Sequence, residues 1–191
     1  MAELTVQKAE QILNRHVSEP HLLAHALSVS AAMRAMAEHF GADPEHWAAV
    51  GYLHDVDFEK YPEEHCLHVR ELLAGEAVDE ADIRAILSHG HGLSGVDVEP
   101  QTDMEKSLYT VDQLTGIVVT TALMRPTGIE DLELKSLKKK YKDKRFAAKC
   151  DRALIERGAQ MLGVELDVVM QRCIDGLRVY AKELGISAKQ G

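Results

Sequence analysis

Cysteine, aromatic residues, positive charge and long apolar runs are all in short supply in this chain. The three cysteines, Cys66, Cys150 and Cys173, are odd in number and lack any Cys-x-x-Cys spacing, so neither a disulfide framework nor a thiolate zinc site is expected. A reducing cytoplasm is the expected setting. No apolar run reaches the roughly 18 residues a membrane span needs, and Met1-Ala2-Glu3-Leu4 has no basic region followed by an apolar stretch. Neither a membrane partner nor a signal peptide is therefore expected. Lys and Arg number 22 against 31 Asp and Glu, a net charge of −9, which argues against a stable nucleic-acid partner. Strand-like alternation, internal repeats and low-complexity linkers are also missing.

What remains is the composition of an ordinary globular protein, 46% hydrophobic and 28% charged over 191 residues, rich in Ala, Leu and Glu. This reads as all-α and as a single domain over 1–191, with a core at about 20–125 and C-terminal helices at about 133–186. Apolar spacing gives a first helix within residues 3–16 and a second from Pro20 to about Phe40, stopping at Gly41. Asp43-Pro44 opens a third, which carries Trp47 to Asp55. A fourth is expected from Pro62 to about Gly75, and a fifth from Ile83 to Ser88, behind a capping arrangement at Asp79. After an irregular loop at 93–101 come a sixth helix at about 102–123, a short basic one, and two more at about 143–162 and 165–184.

Three of these helices carry polar groups where a structural helix wants apolar ones. The apolar run from Trp47 to Leu53 ends in His54-Asp55, and an ionised Asp taken into a core costs several kcal/mol unless it is compensated. His25 lies on the inward stripe of Leu22, Val29, Met33 and Met36, and Asp112 on the stripe of Leu108, Thr115 and Val119. Each alone reads as a helix cap or a hydrogen-bonded core residue. Together they supply imidazole and carboxylate from three helices, the donor types of divalent transition metals.

This set, a His, then a His-Asp pair, then a distant Asp, resembles the HD-domain superfamily of metal-dependent phosphohydrolases. The likeness extends to the Gly-x-Leu-His-Asp context and to Tyr109-Thr110-Val111-Asp112, over about residues 20–125. It implies an HD-like helical bundle, with His25, His54, Asp55 and Asp112 as ligands of a divalent ion. Branches of the superfamily that hold two ions add two histidines; His65 and His89 are the candidates, with His68 and His91 competing. Manganese, iron, nickel, zinc and magnesium all suit the donors, although histidine-rich ligation counts against magnesium alone.

The activity implied is hydrolysis of a nucleotide or other small phosphorylated molecule by a metal-activated water. Asp55 and Asp112 would hold the ions and orient that water, and Asp57, with Glu59 a weaker candidate, is the extra acid for proton transfer. Eight Lys or Arg lie between Lys135 and Lys149 against one acid, Asp143. Arg125, Lys138 and Lys139 are accordingly the expected substrate-phosphate contacts. Two other readings remain open, a regulatory HD domain that binds without turnover and a di-iron oxygenase of the same fold. An oligomer is compatible with either.

Overall fold

The computed structural model describes residues 3–190, all helix, turn and loop, with no strand among them. Met1 and Ala2, on which the leader expectation partly falls, lie outside the described residues. Among the described residues nine α-helices follow one another: α1 (Val6–Leu13), α2 (Pro20–Phe40), α3 (Pro44–Leu53), α4 (Val69–Leu72), α5 (Glu80–Ser88), α6 (Asp103–Leu123), α7 (Leu134–Lys142), α8 (Arg152–Leu162) and α9 (Leu166–Val179). Local chemistry sets most of the boundaries. Asp43 accepts the Glu45 and His46 N–H groups ahead of Pro44, Asp79 accepts the Asp82 N–H, and Thr102 with Glu105 forms a reciprocal capping box. Gly41 and Gly163 end α2 and α8 at φ 66° and 65°, in the left-handed region open to glycine.

The long helices α2 and α6 lie side by side at the centre; α3 and α9 pack on α2, and α5, α7 and α8 on α6. Met33, Met36, Leu53, Ile86, Leu108, Leu114 and Ile117 fill the space between them, in one core cluster that runs from Leu4 to Ile186. Close approach depends on missing side chains. A Cβ on Gly51 would stand 2.9 Å from Met33 Cγ and 3.2 Å from the Val29 carbonyl oxygen, so glycine lets α3 lie directly on α2. No described helix is long and apolar enough to cross a membrane.

Two expected helices are shorter than their sequences suggest. Residues 62–75 form a 3-10 turn at Pro62–Glu64 and then α4, with Cys66 between them at φ 74°. The break follows from Asp57, whose buried carboxylate accepts His65 Nδ1–H at 2.8 Å and the His68 N–H at 3.3 Å, so the chain wraps this side chain instead of completing a helix. The helix expected from Asp143 begins at Arg152. Its guanidinium donates to the carbonyls of Tyr141, Asp143, Phe146, Ala147 and Cys150, fixing 143–150 as a loop.

Candidate metal centre

His54 and His89 occupy the same place in two different helices, the cap position after the last turn of α3 and of α5. The last carbonyls of a helix have no partner within it. Here each cap histidine supplies one: His54 Nδ1–H donates to Gly51 O at 2.7 Å, and His89 Nδ1–H to Ile86 O. Both rings are thereby turned so that Nε2 points the same way. His46 Nε2, 2.6 Å from the buried Asp82 carboxylate, fastens α3 to α5 and so sets the two caps against each other.

Four more side chains meet these rings. Around Asp55 Oδ2, His54 Nε2 stands at 3.2 Å and His25 Nε2 at 3.5 Å. Asp112 Oδ1 lies 2.9 Å from His25 Nε2 and 3.1 Å from His54 Nε2, which are themselves 3.1 Å apart. Asp55 uses its second oxygen separately: Oδ1 is 3.1 Å from His65 Nε2 and 3.2 Å from His89 Nε2, and these two nitrogens are 3.1 Å apart. Two donor groups thus share one carboxylate.

A carbonyl oxygen can only accept, so Nδ1 of both His54 and His89 carries a proton. In the neutral rings Nε2 is then a bare lone pair. Those lone pairs face carboxylate oxygens and other imidazole nitrogens at about 3 Å, an arrangement that a metal ion between them, or protons on the rings, reconciles. Donors about 2.1 Å from one ion and at right angles to each other stand about 3.0 Å apart, close to the separations here. The negative ends of the α3 and α5 dipoles converge on the same point. By donor type, spacing and field, the residues fit divalent metal.

Protons fill the role when metal does not. Burial disfavours charge on His65, but the Asp55 and Asp57 carboxylates outweigh it and push its pKa up to about 12. Burial acts likewise on His54, and Asp55 and Asp112 more than reverse it, holding the ring well above its ordinary value. Burial also opposes ionisation of Asp55 and Asp112, yet the imidazoles around them hold both well below the carboxylate range.

The centre floors an open cleft of about 350 Å³. A sequence model of the HD domain matches residues 22–117, just over half of the chain and all six converging residues. The chain belongs to the HD-domain family. Comparison with curated proteins and with solved structures gives no match.

Within this HD domain the other sequence candidates are sorted by position. His68 turns away, stacks on Tyr61 at 3.7 Å and bonds Glu64 and Glu71, while His91 pairs with Asp97 at 2.9 Å. Asp57 is completely buried behind His65, where it orients the ring by its Nδ1–H; the expectation of a proton-transfer acid meets a side chain with no face on the cleft. Glu59 bonds the Ser18 N–H and hydroxyl. Arg125, Lys138 and Lys139 are not brought to the cleft. Arg125 lies beyond the C-terminal end of α6, thirteen positions after Asp112, and pairs with Asp131. Lys138 pairs with Asp167 in a separate groove that Lys139 also lines.

Sequence reasoning missed the cleft walls. Phe58, Leu93, Gln113, Lys149 and Cys150 border the centre, and the Cys66 thiol lies within 4.8 Å of the nearest His65 and His89 nitrogens. Cys66 adjoins His65 in sequence, a signal that could have been used. Lys149 sits at the end of the basic run, with nothing local to set it apart from its seven companions.

Proposed function

We propose that this protein is a metal-dependent phosphohydrolase acting on a nucleotide or other small phosphorylated molecule. The observation that carries the reading is the convergence of four Nε2 atoms and two carboxylates at about 3 Å, with the His54 and His89 tautomers fixed by carbonyls. One ion would be held by His25, His54, Asp112 and Asp55 Oδ2, and a second by His65, His89 and Asp55 Oδ1. Bound there, divalent ions supply a water of lowered pKa and neutralise charge growing on a phosphoryl oxygen.

The chain's own residues supply the rest. Asp55, reaching both groups, would fix their separation, and Asp112 would hold the attacking water in line. Asp57 holds His65 in the tautomer that leaves Nε2 free, the arrangement of a carboxylate behind a metal-binding imidazole. The cleft, about 350 Å³ and open to solvent, has room for the phosphoryl group and body of a small ester.

The test is phosphate release from a panel of mononucleotides, nucleoside triphosphates and aryl phosphates by protein loaded with manganese, iron, nickel or zinc. Release that disappears in Asp112→Ala supports the reading. Bound metal with no release from any ester refutes it in favour of a binding domain, and oxygen uptake by the iron-loaded form in favour of an oxygenase.

A further inference from the structure

Of the eight cations in the basic stretch, one reaches the cleft. Lys149 lines it, is exposed, and has no ion-pair partner among the described residues. Its place comes from the Arg152 clamp: five backbone carbonyls between Tyr141 and Cys150 accept from one guanidinium, and the Asp151 N–H donates to Gln113 Oε1 at 3.1 Å, tying the loop to α6 one residue beyond Asp112. Gly116 makes the approach possible, since a Cβ there would stand 2.8 Å from Cys150 Sγ. A loop held this firmly against the centre, and carrying an unpaired ammonium, has the form of an anion contact.

Part of the cleft wall is apolar. Phe58 and Leu93, 36% and 55% exposed, are among the few large hydrophobic side chains left open to solvent, and both border the cleft. Phe58 and the His65 ring form a T-shaped pair, with centroids 5.3 Å apart and planes at 88°, which sets the half-exposed Phe58 ring beside the donors on the cleft wall. The Gln113 carbonyl is taken by Asp151, which leaves its NH2 to donate.

From this we infer that the site takes phosphomonoesters with a flat, apolar body, with Lys149 as the contact to a non-bridging phosphoryl oxygen and Phe58 as the platform for the body. The inference rests on the hydrolase reading and narrows it. A polyphosphate chain would set its outer charges against a wall with no second Lys or Arg, whereas one phosphoryl group between the ions and Lys149 is matched. Stacking on an aromatic face suits a nucleobase or an aryl group equally.

The experiment is calorimetric titration of manganese-loaded wild type, K149Q, K149R and F58A with inorganic orthophosphate and with adenosine 5′-monophosphate. Hydrolysis of the monophosphate and the triphosphate is followed alongside. K149Q is expected to weaken orthophosphate and monophosphate alike, by about tenfold, and to raise KM with metal content and melting temperature unchanged. K149R recovers most of that loss. F58A is expected to weaken the monophosphate about tenfold and leave orthophosphate as it was. The inference is overturned if K149Q binds orthophosphate like the wild type, if F58A weakens both ligands equally, or if the triphosphate is the better substrate. Lys149-dependent binding without turnover would support the contact and refute the hydrolase reading instead.

Discussion

The nitrogen that each ring turns away from the centre decides what its other nitrogen can do. For His54 and His89 that partner is a helix-end carbonyl, and for His65 it is Asp57. Asp57→Ala should therefore weaken the ion at His65 and His89 by about 10- to 100-fold and leave the other ion in place, as read by metal titration. Full retention of both ions with a collapsed kcat would instead make Asp57 a proton-transfer group. Acidity gives a second test. With folded values above the ordinary 6.5, His54 and His65 stabilise the metal-free protein fully below about pH 6.5; the contribution is lost as pH rises through the folded values, for His65 toward about 12. With folded values below the ordinary 3.8, Asp55 and Asp112 contribute fully above it and lose this as pH falls. Metal displaces the imidazole protons, so the gap in melting temperature between manganese-loaded and chelator-treated protein should widen from about pH 6 to about pH 8.5. A constant or narrowing gap contradicts the assignment. His25, His54-Asp55 and Asp112 stood out in the sequence because each put a costly group on an apolar face; the role of Asp57 did not, because it depends on how the chain folds back around it.

Helices were legible wherever their signals are local. Asp43-Pro44, Asp79 and the Thr102–Glu105 box mark starts that an adjacent residue satisfies. The two misread segments are held by bonds to more distant partners, Asp57 for 65–68 and Arg152 for 143–150, which compete with a helix of good local propensity. Arg152→Lys should accordingly speed amide hydrogen exchange in 143–150 while α8 stays protected; unchanged exchange would show that the loop holds itself. Packing between elements has its own test. A Cβ on Gly158 would lie 2.0 Å from Thr110 Oγ1 and 3.1 Å from Thr110 Cα, so α8 cannot stay seated on α6 with anything larger. Gly158→Val should destabilise the fold by about 3 kcal/mol in denaturant titration. A loss well below about 1 kcal/mol would mean that the two helices shift apart freely.

Across the whole molecule, the basic helix and the donor cluster are kept apart. The protein is acidic at −9, its basic helix α7 lies on α6 and α9 with its own groove, and the donors gather where α2, α3, α5 and α6 meet. The sequence showed that a basic patch exists but not which way it faces, because only the Arg152 clamp separates Lys149 from Lys138. The HD match covers 22–117, so the cleft wall supplied by residues 149 and 150 comes from outside the matched region. Ions seated at the centre join helices from both parts of the core and should add about 3 kcal/mol of stability at a hundredfold excess over their dissociation constant. The central claim is that Asp55 joins two metal sites, and the most direct measurement is elemental analysis of the purified wild type beside His54→Ala and His89→Ala. The expected result is about two ions per chain in the wild type, with each replacement removing the ion of its own group. Wild-type protein that holds no stoichiometric metal, or a His54→Ala variant that keeps the full complement, would contradict it.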